Sequence, residues 1–165
     1  MIQNKVAESE LVTLDLKLFL PKDQPEVFDL KDFLYKDLIL KEKDYREALN
    51  QQNWEKYKGK LVLVTCSTDV TIPVWAYMLA GAYLAPIVKE VFFESLLSWR
   101  EKIIIKAIKV LDTTEYINKR VVIKGCGDEK LPNSAFFYIT NTLCPVVKSL
   151  MYGEPCSTVP IYKKK

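Results

Sequence analysis

The chain carries one stretch twice, and this repeat limits the possible fold more than any other feature. The first copy, Lys60 to Glu94, reads KLVLVTCSTDVTIPVWAYMLAGAYLAPIVKEVFFE. The second, Lys119 to Glu154, reads KRVVIKGCGDEKLPNSAFFYITNTLCPVVKSLMYGE. Cys66 aligns with Cys126 at an offset of 60. After a one-residue gap the offset is 59, and Pro73, Tyr77, Pro86 and Lys89 align with Pro132, Phe136, Pro145 and Lys148. Ordered matches of this kind on similar apolar patterns indicate a duplicated unit of about 60 residues, with units over approximately 26–94 and 95–165. Two copies do not make a solenoid, which needs about three repeats to bury a continuous core.

Each copy reads as strand, loop, helix, strand. Leu61–Thr65 and Val121–Lys124 are β-branched runs suited to buried strands. Pro73 and Pro132 are expected in the first helical turn, where a missing N–H costs nothing. Pro86 and Pro145 end or kink the last turn. Val91–Phe93 and Leu150–Tyr152 read as return strands, and such a unit normally makes a parallel crossover. Around the copies, alternation from Val12 to Leu20 predicts one half-buried strand ended by Pro21 and Pro25. Asp44–Tyr57 and Leu96–Leu111 read as helices, and Ser157–Tyr162 as a last strand before three lysines. The expected architecture is a single α/β domain over 1–165, with a mixed sheet built on two duplicated βαβ units and flanking helices.

Composition narrows the function. Apolar residues make up 49% of the 165, enough for a buried core in one ordinary domain. A net charge of +3 gives no electrostatic case for nucleic-acid binding. The histidine count is zero, which removes Ser-His-Asp and Cys-His catalysis and every imidazole metal ligand within the chain. Val70–Val88 has no charge and approaches the ~20 residues of a membrane span. Pro73 and Pro86 bracket it, and its second copy is interrupted by Asn133, Ser134, Thr140, Asn141 and Thr142, so a buried helix of a layered domain is expected and no membrane. The opening MIQNKVAESE has no apolar signal region, so a cytoplasmic protein with free thiols is expected.

The four cysteines carry the candidate chemistry. Cys66 and Cys126 each fall at the carboxyl end of a predicted strand, the edge of an open α/β sheet where ligands bind. Acids follow closely, Asp69 and Asp128. Cys156 follows the second return strand, in GEPCSTVP. Three thiolates with an aspartate or an external ligand would hold zinc or an iron–sulphur cluster. They are equally three small apolar side chains of a core, and no C-x-x-C pair decides between the two. Cys126 between Gly125 and Gly127 also fits a reactive thiol at a helix entrance, activated by the helix dipole or by Lys124 or Lys130. The same glycines fit a tight turn beside an ordinary thiol. Cys144, inside the second helix in place of Ala85, reads as core. Asp69 and Asp128 fit paired acids of a small enzyme or helix caps. Gly125 and Gly127 supply two glycines of a dinucleotide fingerprint, but Lys130 stands where the third belongs.

The motifs KGCGD and GEPCSTVPIYK, with NKVAESELVTLDL, LILKEKDYREALNQQNWEKYKGK and IPVWAYMLAGAYL, resemble a bacterial family catalogued as domain of unknown function 2480. The resemblance spans nearly the whole chain. It implies a pathway, because genes of such proteins often neighbour those of the SUF-type iron–sulphur assembly system, and it implies no mechanism. The preferred expectation is an accessory factor in iron–sulphur cluster or thiol metabolism, partnering iron–sulphur assembly proteins through Cys66, Cys126 and Cys156. The alternatives are a small enzyme using Asp69 and Asp128, and a structural or interaction module forming a homodimer.

Overall fold

The computed structural model describes residues 11–124, 131–154 and 156–165. The chain is α/β, and its strands form two sheets. It divides into two compact units: a contiguous unit of residues 22–99, and a split unit made of the segment ending at Pro21 and the segment from Arg100 to Lys165.

The contiguous unit holds β2 (Glu26–Asp29), α1 (Glu42–Gln51), β3 (Leu61–Thr65), α2 (Val74–Leu84) and β4 (Glu90–Phe93). Its three strands are parallel in the order β2-β3-β4, with Phe28 opposite Val64 and Val64 opposite Phe93. The split unit holds β1 (Leu11–Asp15), β5 (Arg120–Lys124), α4 (Asn133–Leu143), β6 (Ser149–Glu154) and β7 (Ser157–Lys163). Its order is β1-β5-β6-β7; the first three are parallel and β7 returns antiparallel to β6. A further helix, α3 (Leu96–Lys109), runs from the end of one unit into the other.

The same packing recurs at positions 59 apart. Ala76, Ala80 and Leu84 of α2, spaced one turn apart, are fully buried, as are Ala135, Ile139 and Leu143 of α4. Val62 and Val64 pack beneath the first set, Val121 and Ile123 beneath the second. The Gly59 amide donates to the Ile87 carbonyl and the Asn118 amide to Val146, both at 2.8 Å. Gly59 has φ +67° and Asn118 φ +57°. Glycine and asparagine are the residues that take this left-handed turn at least cost. The expected match of Cys66 with Cys126 falls on a residue outside those the structure describes.

Two local expectations are corrected. The alternating run from Val12 to Leu20 is not one strand. β1 stops at Asp15, whose carboxylate accepts the Lys17 amide at 2.9 Å and starts a 3-10 turn over Leu16–Phe19. An aspartate bonding its own backbone two residues on breaks the ladder locally. The same device follows β2, where Asp29 accepts the Lys31 amide at 3.0 Å ahead of Leu30–Phe33. Pro73 and Pro132 stand one position before the first helical turn, with extended ψ of 139° and 140°. Their carbonyls accept the Ala76 and Ala135 amides, both at 3.0 Å. Among the described residues no helix is long and apolar enough to cross a membrane. The 11 residues of α2 span roughly 16 Å, about half a bilayer core.

Candidate functional site

Parallel strands bring their carboxyl ends to one edge, so each unit gathers its loop residues there. In the contiguous unit this edge carries Asp29 from β2 and Cys66 just past β3. The Asp29 carboxylate accepts the Lys31 and Ser67 amides, each at 3.0 Å, tying the loop after β3 to the turn after β2. Burial opposes its ionisation, but the bonds from Ser67 and Lys31 outweigh that and hold its carboxyl below the usual value. The Cys66 thiol donates to the Thr68 carbonyl at 3.6 Å and is half-buried against the core. Tyr77 faces this corner from α2. Burial pushes its phenol up, and the negative potential of Cys66 and Asp29 adds to the rise. Asp69 is exposed on the loop.

In the split unit the equivalent edge carries Cys156, exposed in the turn between β6 and β7. The hairpin is tight: Gly153 has φ +126°, and a Cβ there would collide with the Ser157 carbonyl. Cys144 caps α4 as Ala85 caps α2, its amide bonded to the Thr140 carbonyl at 2.9 Å. It packs half-buried on the core, and that burial pushes its thiol up. Gly125, Cys126, Gly127 and Asp128 lie outside the described residues. Of the predicted site residues, Cys66 and Asp69 therefore share the edge of the contiguous unit, and Cys156 stands on the split unit with Cys144 apart from it. Among the described residues no three histidine, cysteine, aspartate or glutamate side chains gather closely enough to hold a metal ion.

A second feature was not found by sequence reasoning. Between α2 and β4 runs an open groove of about 320 Å³, walled by Tyr77, Met78 and Gly81 on the helix and Val91 and Phe93 on the strand. The Tyr77 and Phe93 rings meet edge to face, 4.8 Å between centroids. The split unit has a smaller cavity of about 100 Å³ at the matching place, walled by Phe136, Thr140, Leu150, Met151 and Tyr152. There Phe136 and Tyr152 meet edge to face at 5.6 Å. The difference is β7, which pairs with β6 and sends Ile161 into the cavity. Among the described residues β4 has no such neighbour: it is the last strand of its sheet, Phe93 is 71% exposed and Met78 69%. The signal was present in the sequence, since the second copy runs on into STVPIYK and the first into a helix.

A family model described as Protein of unknown function (DUF2480) matches residues 1–164. No curated protein and no solved structure matches the chain.

Proposed function

Since the chain belongs to the DUF2480 family along residues 1–164, whose description assigns no activity, we propose a function from the geometry itself: a non-catalytic cytoplasmic accessory protein that docks a partner in the groove between α2 and β4. One observation carries this reading. The groove that β7 closes in the split unit stands open in the contiguous unit, with Phe93 and Met78 exposed on its two walls. Soluble domains seldom leave contiguous aromatic and aliphatic surface uncovered without a use for it. A photo-crosslinking amino acid at Met78, compared with one at exposed Lys109, tests it inside the producing cell. The reading expects discrete adducts at Met78 that disappear when Gly81→Phe fills the groove. Equal labelling from both positions refutes it.

A second reading, an accessory role in iron–sulphur or thiol metabolism, draws on the exposure of Cys156 at the carboxyl edge of its sheet. The described residues do not by themselves assemble a ligand set, so no step is built on zinc or a cluster. Anaerobic purification with elemental analysis tests this reading. Stoichiometric zinc or iron that is lost in Cys156→Ser supports it, and a metal-free protein with four titratable thiols refutes its metal form.

A further inference from the structure

We infer that the free edge of β4 and the groove beside it take an antiparallel extended strand from another protein, apolar over Val91 and Phe93 and carrying a lysine or arginine against Glu90. This rests on the docking reading above and specifies what docks. The template lies within the chain. β6 is the positional equivalent of β4, and β7 shows what covers such an edge. Val159 lies opposite Tyr152, Tyr162 opposite Leu150 and Lys163 opposite Ser149. Transferred 59 positions, Val159 would face Phe93, Tyr162 would face Val91, and Lys163 would face Glu90.

The chemistry of β4 suits that occupant. Val91 and Phe93 lie opposite Val62 and Val64, which pack under α2, so both point to the helix face and into the groove. By alternation Glu90 and Phe92 point to the other face. Exposed Glu90 replaces the Ser149 of the covered edge, so a cation at the Lys163 position gains an opposite charge across the pair. Gly81 stands where the covered unit has Thr140, and a Cβ there would meet nothing within 4 Å, which leaves room for a side chain in the place of Ile161. Edge strands are natural templates for strand addition, with main-chain bonds giving affinity and side-chain pockets giving selectivity. A second copy fits less well. A twofold that pairs β4 with β4 keeps each face of the sheet together. Both Glu90 carboxylates would then share one face, where β4 offers no cation; Lys89 falls on the other by the same alternation.

The test titrates the full-length protein with a fluorescein-labelled peptide of residues 157–164, read by anisotropy. Two control peptides are used, one with Lys163→Glu and Lys164→Glu and one N-methylated at alternate backbone amides. Saturable binding is expected for the first peptide only. Glu90→Lys should weaken it about fivefold, the scale of one cross-strand charge pair, and Gly81→Phe should abolish it while circular dichroism and melting stay native. Equal binding of the N-methylated peptide overturns strand pairing. The absence of saturation by about 1 mM, the weak end of specific affinity, overturns the proposal. A wild-type dimer that Gly81→Phe dissolves overturns the foreign partner in favour of a second copy. If Met78 crosslinks persist in the cell while the peptide fails, the strand chemistry is wrong and the docking reading stands.

Discussion

Replacing Asp29 with alanine should loosen the loop that carries Cys66 and cost about 2 kcal/mol. The carboxylate holds two backbone amides at 3.0 Å, Lys31 within its own turn and Ser67 across from β3. Losing the first resembles losing a helix cap, about 1 kcal/mol. Losing the second leaves the Ser67 amide without its ionised acceptor. Such bonds reach about 1.5–3 kcal/mol when buried, and the exposed setting here lowers that to about 1 kcal/mol. Urea denaturation at pH 7 reads the sum. The pH dependence gives a second signature. The folded carboxyl titrates below its ordinary value near 3.8, so the stability it contributes is present above that value and is lost as pH falls through the folded pKa. The gap between wild type and Asp29→Ala should therefore be full at neutral pH and shrink below about pH 4. Mass-resolved alkylation supplies the local readout, with Cys66 labelling faster in the variant and Cys156 unchanged. A stability change under about 0.5 kcal/mol, the range of ordinary surface substitutions, would refute the reasoning. So would unchanged labelling of Cys66.

Gly81→Ala should stabilise the protein by about 0.5–1 kcal/mol, seen as a raised midpoint in thermal melting, because it removes a helix-interior glycine where a Cβ meets nothing. Tyr45→Phe should cost about 1 kcal/mol in urea denaturation, since the buried hydroxyl donates to the Ala76 carbonyl at 3.1 Å. Leu143→Ala should cost about 2–5 kcal/mol by the same assay, its side chain being fully buried in the split-unit core. Iodoacetamide at pH 8 should label exposed Cys156 at least about tenfold faster than Cys144, whose thiol burial pushes up.

The framework was legible because the residues that set it act locally. Pro73 and Pro132 stand just ahead of the helices and Pro86 and Pro145 follow their ends. The runs at Leu61–Thr65 and Arg120–Lys124 are the strands. The stretch from Val12 to Leu20 was misread because alternation with period two cannot register a side chain that captures the backbone. Asp15 does so, and a second clue stood fourteen residues on. Leu14-Asp15-Leu16-Lys17 returns as Phe28-Asp29-Leu30-Lys31, each ahead of a 3-10 turn. The same pair marks the end of β2, for which the residues after Pro25 carry no alternation of their own.

The candidate site was legible only in part, for a different reason. A cysteine just past a predicted strand declares its place at a strand end, as Cys66 and Cys156 show. Which strand is an edge depends on neighbours chosen across the whole chain, and no local pattern states it. Val91, Phe92 and Phe93 look like the interior of a sheet when read alone, as do Leu150, Met151 and Tyr152. Only the strand order separates them: β6 lies between β5 and β7, while among the described residues β4 has β3 on one side alone. The consequence is physical. Leu150 is 1% exposed and its counterpart Val91 37%, though both sit at the same register against the same kind of core. Apolar side chains in one framework thus serve as core in one unit and stand exposed in the other, and whether a further described strand pairs alongside decides which.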